Sequence, residues 1–174
     1  MINYNISPTS IADLPFIYSL FDEAIEYQKR NQYPVWKSYD KDVLQQDIKD
    51  GRQFKILVNN QITCIFSYCL SDPVIWRQRD RGDAIYLHRI VVNPTFKGQK
   101  NFGKILTWSI NFVQKQQLKF IRMDTWANNP SLVNYYLDFG FEIVDYFTTP
   151  NSLDIPIQQR NNEVVLLEFK VTSH

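Results

Sequence analysis

Apolar residues recur at three- and four-residue spacing in four stretches of the chain, which is the pattern of amphipathic helices. The predicted helices cover about residues 11–27, 40–50, 102–113 and 132–139. Thr9 or Ser10 would cap the first helix. Gly51 and Gly140 would end the second and fourth, because glycine readily takes the left-handed conformation found at helix C-termini.

Shorter runs of apolar, β-branched and aromatic residues predict seven strands. They cover residues 2–7, 53–58, 61–70, 84–92, 120–125, 141–147 and 164–171. Asn59-Asn60 predicts a hairpin turn, and residues 71–82 and 148–162 read as polar loops. Helices connect the central strands, which should therefore be partly parallel. The pattern predicts one α/β domain over residues 1–174, with a mixed central sheet of about seven strands and about four helices.

The composition excludes several classes of protein. The chain has 174 residues, 44% of them hydrophobic, which suits one domain with a packed core. With 19 basic and 18 acidic residues, its net charge of +1 provides no basic field for nucleic acid. No apolar run reaches the ~20 residues of a membrane span, and no signal-peptide pattern is present. We expect a cytoplasmic protein in which Cys64 and Cys69 are buried thiols, since their odd spacing on one strand disfavours a disulfide.

The most informative segment runs from Leu87 to Leu106 and has the sequence LHRIVVNPTFKGQKNFGKIL. It reads as a strand, a turn, a basic loop and the start of a helix, and it contains Gly98 and Gly103, two of the five glycines. Backbone N–H groups at a helix N-terminus lack partners within the helix, so they and the helix dipole attract an anion. Positive charge is added by the lysines of this segment, Lys97, Lys100 and Lys104. The segment therefore predicts a site for a phosphate-bearing ligand.

This segment resembles the acetyl-CoA-binding motif of the Gcn5-related N-acetyltransferases. In that motif a strand ending in Val is followed by Pro and then by Arg-Gly-x-Gly-x-Gly/Ala at a helix start. The matching residues here are Val92, Asn93-Pro94, Lys97, Gly98, Lys100 and Phe102. Lys97 replaces the arginine, and Lys100 and Phe102 stand where the family has its second and third small residues. Lys100 can still donate its N–H if its backbone dihedrals are ordinary, so we expect binding that is weakened but not lost.

A second segment carries the same resemblance. Residues 129–141, NPSLVNYYLDFGF, place Asn129, a helix, Tyr136 seven positions later and Gly140-Phe141 at the helix exit. These features are similar in order and spacing to the family's later motif. Together with the order of the predicted elements, the two segments make the chain similar to this family over about residues 50–147.

The resemblance implies a fold with splayed central parallel strands and acetyl-CoA as co-substrate. Backbone groups of the fourth strand would bind the pantetheine arm, and the basic loop would bind the pyrophosphate. The implied cofactor-binding residues are Ile90, Val91, Val92, Lys97, Gly98, Gln99, Lys100, Asn101, Phe102, Gly103, Lys104, Asn129 and Tyr136. Asn129 is also a favoured helix cap, and both roles are compatible. We expect no metal, because the two histidines and two cysteines have no ligand spacing.

Two residues are the implied catalytic groups. Tyr136 stands where family members place the group that protonates the leaving CoA thiolate, and a tyrosine that is neutral at pH 7 suits this role. The alternative is a core aromatic. His88 is the candidate base, because strand alternation puts it on the face of Tyr86 and Val92 and a histidine titrates near neutrality. The alternative is a half-buried structural histidine bonded to a backbone group.

The resemblance implies an acceptor pocket built from the first two helices, their connection and the last strands. Its candidate residues are Glu23, Glu26, Tyr27, Tyr33, Trp36 and Tyr86. Two carboxylates about one turn apart, Glu23 and Glu26, could hold an amine cation, with aromatic side chains packed around it. The alternative is a solvated helix face with ordinary core aromatics.

These features predict an acetyl-CoA-dependent N-acetyltransferase. It would move acetyl directly to a primary amine of a small molecule or peptide, in a ternary complex without a covalent enzyme intermediate. Members of the family often dimerise, which leaves a homodimer open without fixing the oligomeric state, while neither nucleic acid nor a membrane is expected as a partner. Three alternatives stay open: a non-catalytic acyl-CoA-binding regulatory protein on the same fold, a protein that uses the loop for ATP, and transfer of a longer acyl group. The missing Gly-Lys-Ser/Thr after the loop argues against a Walker-type ATP site.

Overall fold

A computed structural model describes residues 3–153, 155 and 159–172. In this part of the chain the strands are β1 (Tyr4–Pro8), β2 (Gln53–Val58), β3 (Gln61–Cys69), β4 (Ala84–Val92), β5 (Phe120–Trp126), β6 (Glu142–Thr148) and β7 (Glu163–Lys170). They form one seven-stranded sheet in the order β1-β2-β3-β4-β5-β7-β6. β2 pairs antiparallel with β1 and β3, β4 pairs in parallel with β5, and β7 pairs antiparallel with β5 and β6. The predicted mixed sheet is confirmed.

The described residues contain five α-helices, four of which correspond to the predicted ones. They are α1 (Leu14–Arg30), α2 (Lys41–Lys49), α3 (Pro73–Trp76), α4 (Asn101–Lys115) and α5 (Pro130–Leu137). Before α1, the Ser10 N–H donates to the Asp13 carboxylate at 2.7 Å. Asp40 caps α2 by accepting from two backbone N–H groups, which would otherwise have no partner in the helix. None of these helices is both long and apolar enough to cross a membrane.

The short helix α3 corrects the prediction of a polar loop over residues 71–82. Asp72 caps it by accepting from the Ile75 N–H at 3.4 Å, and Pro73 stands at the first helical position, where a missing N–H costs nothing. Ile75 is 7% exposed and Trp76 is 0% exposed. The three consecutive apolar residues Val74, Ile75 and Trp76 are too short a run to give a periodic signal, so burial decides the structure here and local pattern does not.

The chain divides into two compact units. The first comprises residues 1–68 and 88–108, and its core cluster is built from α1, α2, β3 and β4. Its members are Leu14, Ile17, Leu20, Phe21, Leu44, Ile48, Ile65 and Val91. The second comprises residues 69–87 and 109–174. Its core cluster joins α3 to β4 and β7 and consists of Ile75, Trp76, Ala84, Tyr86, Val164 and Leu166.

Both cysteines are thiols, as expected. Cys64 is fully buried on β3, and burial raises its pKa to about 12, so the thiol stays protonated at pH 7. Cys69 is half-buried at the end of the same strand, so complete burial holds for Cys64 alone of the two.

Candidate functional site

Strand β4 changes its backbone geometry at Arg89. It pairs in parallel with β5 from Ala84 to Tyr86 and then continues to Val92. Arg89 has a φ of 51°, in the left-handed region that residues with a Cβ rarely adopt. Such a residue interrupts the pleat in the manner of a β-bulge, so side chains before and after it no longer alternate regularly. The common face predicted for His88 and Val92 therefore cannot be extended across Arg89.

An ion pair between half-buried Arg89 and a buried aspartate links this break to α2. Arg89 Nη1 donates to Asp47 Oδ2 at 2.7 Å, and Asp47, on α2, is only 6% exposed. Beyond the break, Ile90 is half-buried and Val92 is exposed, whereas the Val91 side chain lies in the first unit's core. Of these three predicted pantetheine-binding residues, Val91 can reach a ligand only through its backbone groups.

The basic loop between β4 and α4, which is predicted to bind an anion and is called the anion loop below, contains two residues in the left-handed conformation, Gly98 and Lys100. Gly98 has a φ of 83°, and a Cβ added there would meet no atom within 4 Å, so the conformation and not the space requires glycine. Lys100 has a φ of 51°, so a lysine occupies the conformation that glycine usually takes. The prediction that Lys100 donates its N–H to the ligand assumed ordinary backbone dihedrals at this residue, and its positive φ does not meet that condition. Helix α4 begins at the next residue, Asn101.

Lys97 contacts helix α1. Its Nζ donates to the Tyr27 hydroxyl at 2.5 Å and lies 4.3 Å from the centroid of the Tyr27 ring. The Tyr33 ring centroid lies 6.1 Å from that of Tyr27. A residue predicted for the cofactor, Lys97, thus contacts one predicted for the acceptor, Tyr27, whose ring lies beside that of Tyr33. Lys97, Gln99 and Lys100 are all exposed.

The first turn of α4 points mostly inward. Asn101 and Phe102 are each 4% exposed, and the Gly103 N–H donates to the Lys100 carbonyl at 3.1 Å. Lys104 is half-buried, with its Nζ 3.4 Å from Asn101 Oδ1. Asn101 and Phe102 would therefore contact a cofactor through backbone groups.

The carboxylates predicted for the acceptor form ion pairs along α1. Glu23 accepts from Arg30 at 2.6 Å, and Glu26 accepts from Lys29 at 2.7 Å. Trp36 packs against the first unit's core. These positions fit the alternative of a solvated helix face with core aromatics, and acceptor binding by Glu23 and Glu26 stays a prediction.

Tyr86 is a core residue of the second unit. It is 0% exposed, and its ring centroid lies 5.7 Å from that of Trp76. Its hydroxyl donates to Asp80 Oδ1 at 2.7 Å and accepts from Arg122 Nη1 at 3.2 Å. Burial, followed by the hydrogen bond to Asp80, raises the pKa of Tyr86. A side chain this enclosed does not line an open pocket, so its position does not support the acceptor contact predicted for it.

Arg122 is a buried charge that the sequence reasoning missed. Its side chain is 5% exposed. Its Nε donates to Glu168 Oε2 at 2.7 Å, and its Nη1 donates to Asp83 Oδ1 at 3.0 Å and to the Arg79 carbonyl at 2.8 Å. The available signal was a cation inside the apolar strand FIRMDTW, because a charge in such a place requires partners.

Asn129 and Tyr136 lie at opposite ends of α5. The Asn129 side chain accepts from the Leu132 N–H at 3.2 Å, which confirms its capping role. Tyr136 is 7% exposed, and its ring centroid lies 5.5 Å from that of Tyr135 and 6.4 Å from that of Phe141. Tyr136 is thus a packed aromatic, and its role as an acid stays a prediction.

His88 and Asp124 both have strongly shifted pKa values. Burial, and to a lesser extent the Arg89 charge, lowers the pKa of His88 to about 3, so the imidazole is neutral at pH 7 and a weak base. On β5, burial raises the pKa of Asp124 to about 7, and the Asp72 carboxylate adds to this shift. Carboxylate oxygens of Asp72 and Asp124 lie within 4.8 Å of one another. Asp124 was missed because a single acidic residue in a strand carries no motif.

Asp124→Asn should raise the melting temperature at pH 8 much more than at pH 4.5. The folded pKa of about 7 exceeds the unfolded value of about 3.9, so the folded state binds more protons between these values. The contribution of protonated Asp124 to the free energy of unfolding is therefore fully present below about pH 4, and it is lost as the pH rises through about 7. Asparagine avoids this loss, which we expect to be about 1–3 kcal/mol at pH 8. Thermal unfolding measures it, with exposed Asp42→Asn as control, and equal shifts at both pH values would contradict the assignment.

Solved structures of acetyltransferases share this fold. The GNAT-family acetyltransferase from Listeria monocytogenes 4b F2365 matches with a TM-score of 0.77 at 17% identity, covering 96% of this chain and 94% of that one. The spermidine N-acetyltransferase from Vibrio cholerae, in complex with CoA and spermine, matches with a TM-score of 0.66 at 14% identity, covering 97% and 95%. The chain has the fold of the Gcn5-related N-acetyltransferases, and the resemblance carried by its motifs is confirmed at that level.

The sequence match to a curated relative is narrower. The uncharacterized N-acetyltransferase YesJ of Bacillus subtilis (strain 168) is 29% identical over 73 residues. The match covers 42% of this chain and spans about two-fifths, 41%, of the length of YesJ. No family model matches the chain.

Proposed function

We propose that the chain is an acetyl-CoA-dependent N-acetyltransferase that acts on a primary amine. The loop carries this proposal, because Gly98 and Lys100 are both left-handed directly before α4. Backbone of this kind turns N–H groups toward an anion at a helix N-terminus. The Vibrio cholerae neighbour, solved with CoA and spermine, supports CoA and amines as ligands of this fold.

The residues present fit acetyl-CoA. Exposed Lys97 and Lys100 would supply positive charge for a diphosphate, and the backbone of residues 98–102 would supply N–H donors. Beyond Arg89, β4 would offer N–H and C=O groups to the amides of the pantetheine arm. Bound acetyl-CoA would supply the acetyl group as a thioester.

The chain's own groups would then orient the acceptor and move two protons. The amine nitrogen bonds to the carbonyl carbon as the carbon–sulfur bond breaks. The Tyr136 hydroxyl would donate its proton to the leaving sulfur, and a base would remove a proton from the amine nitrogen. A backbone N–H near Val92 would donate to the carbonyl oxygen, a contribution of about 3–4 kcal/mol for donors of this type.

His88, predicted from the sequence, and Asp124 are the candidate bases of this proposal, and their pKa values favour Asp124. A general base works best when its pKa is near the working pH, which holds for about 7 and not for about 3. In the wild type we expect kcat/KM to rise as the pH increases through about 7. In Asp124→Asn this pH-dependent rise should disappear, and the plateau of kcat/KM should be ~100-fold lower. His88→Gln is the paired variant, and an unchanged limb in Asp124→Asn would assign the base elsewhere.

The second candidate is an acyl-CoA-binding regulatory protein without turnover. It is favoured by the weak basicity of His88 and by the engagement of Glu23 and Glu26 in ion pairs along α1. It predicts CoA binding with no thiol release from any amine.

Titration calorimetry with acetyl-CoA tests the proposal. We expect micromolar affinity for acetyl-CoA in the wild type. The affinity should fall about tenfold or more in Lys97→Ala/Lys100→Ala, because each substitution removes a charge-assisted contact with the ligand. Lys49→Ala/Lys115→Ala removes the same charge from exposed sites elsewhere and should leave the affinity unchanged. A thiol-release assay with an amine panel then separates enzyme from regulator. Tight ATP binding that acetyl-CoA does not displace would support the nucleotide alternative instead.

A further inference from the structure

The conformation of Lys100 requires something to hold it. A positive φ of 51° brings the Cβ close to the following carbonyl, so an isolated lysine would leave this region. Strained backbone persists only where the surrounding structure over-determines it. Because Lys100 is exposed, its own side chain is not enclosed by such surroundings.

The next residue, Asn101, is anchored on two sides. Its side chain is buried, with the residue 4% exposed. Asn101 Nδ2 donates to the Phe96 carbonyl at 3.3 Å, and Oδ1 accepts from Thr63 Oγ1 at 3.1 Å. Thr63 is 0% exposed and belongs to β3, and its hydroxyl also lies 3.3 Å from the Ile56 carbonyl. The amide of Asn101 therefore fixes the C-terminal end of the loop to a buried strand.

The N-terminal end of the loop is fixed to the same place. The Asn93 N–H donates to the Thr63 carbonyl at 2.9 Å, and Asn93 Nδ2 donates to the Ile62 carbonyl at 2.9 Å. Two asparagines, at both ends of the loop, are thus bonded to adjacent residues of β3. Strand β3 therefore sets the distance between the two ends of the loop. Residues 94–100 must bridge this distance, so the backbone at Lys100 has little freedom to adopt another conformation.

We propose that Thr63 and Asn101 are positioning residues of the anion loop, whose hydrogen bond holds Lys100 in the left-handed conformation that glycine would adopt unaided. The inference rests on the proposed function for its ligand. It explains how a lysine is accommodated at this position of the motif. The backbone keeps its N–H groups turned to one side, and the Lys100 ammonium adds a charge that glycine cannot supply.

A four-variant cycle tests the coupling between the anchor and Lys100. The proteins are the wild type, Thr63→Val, Lys100→Gly and the double variant, titrated with acetyl-CoA. Thr63→Val keeps the shape of the side chain and removes its hydroxyl. We expect it to raise Kd about tenfold with Lys100 present and less than twofold in the Lys100→Gly background, because glycine adopts the conformation without the anchor. In turnover, the same change should raise KM for acetyl-CoA and leave kcat unaltered.

Thr63→Ser retains the hydroxyl and should restore wild-type affinity, which a purely packing role would not predict. Thr63→Ala serves as the second variant where Thr63→Val does not fold, and melting temperatures accompany every titration. Equal losses in both backgrounds, or no loss in either, would overturn the inference.

Hydrogen exchange without ligand separates this inference from the proposed function. Amides of residues 97–103 should exchange at least tenfold faster in Thr63→Val than in the wild type or Thr63→Ser. Faster exchange in a protein that fails to bind acetyl-CoA would reject the function and keep the anchor. Unchanged exchange in a protein that binds acetyl-CoA would reject the anchor and keep the function.

Discussion

Tyr136→Phe is expected to lower kcat about 100-fold while leaving the Kd for acetyl-CoA nearly unchanged. The substitution removes one oxygen, and with it the proton that the leaving thiolate would receive. The ring and its contacts with Tyr135 and Phe141 remain, so the fold should not be disturbed. Steady-state thiol release with the best acceptor of an amine panel gives kcat, and calorimetry gives Kd.

Tyr135 provides a matched control on the same helix. It is 41% exposed, and Tyr135→Phe removes the same atom one residue away. Its kcat should stay within a factor of about two of the wild type. Full activity in Tyr136→Phe, or an equal loss in both variants, would show that Tyr136 is a core aromatic and not the acid.

Arg122→Met should lower the free energy of unfolding by about 3–5 kcal/mol. The guanidinium lies 2.7 Å from Glu168 and 3.0 Å from Asp83, and removing it leaves both carboxylates without this cation. It also lies over the rings of Trp76 and Phe120, so packing is lost as well. Urea unfolding measures the change.

Two further variants distinguish a buried network from ordinary loss of charge. Arg30→Met removes an arginine from the surface pair with Glu23 and should change stability little. Adding Glu168→Gln to Arg122→Met should recover part of the loss, because it neutralises one stranded carboxylate. A change below about 1 kcal/mol in Arg122→Met would mean that water replaces the arginine.

The fold was readable from the sequence wherever a pattern was long enough to repeat. Helices α1, α2, α4 and α5 have apolar stripes, with Asp40 and Asn129 as caps of α2 and α5, and the strands have apolar runs or alternating apolar residues. Helix α3 has four residues, and its formation depends on burying Ile75 and Trp76 in a core that sequence neighbours do not reveal.

The site was readable only where the side chain itself signals the role. Gly98 and Asn129 fulfil local requirements, a positive φ and a helix cap, and both follow from residue type. The conformation of Lys100 does not follow from its residue type. It was not predictable from local sequence, because the adjacent Asn101–Thr63 hydrogen bond joins residues 38 positions apart. The raised pKa of Asp124 could not be predicted from the sequence for the same reason, since it depends on burial and on Asp72, which is distant in the sequence.

Cys64, next to the proposed anchor residue Thr63, makes the opening of strand β3 measurable by chemistry. Its thiol is fully buried and protonated, and both properties block attack by alkylating reagents, which require an accessible thiolate. Alkylation of Cys64 can therefore proceed only from conformations in which the strand has opened. The rate of its modification reports how often the support beneath the loop comes apart, in a protein that needs no added label.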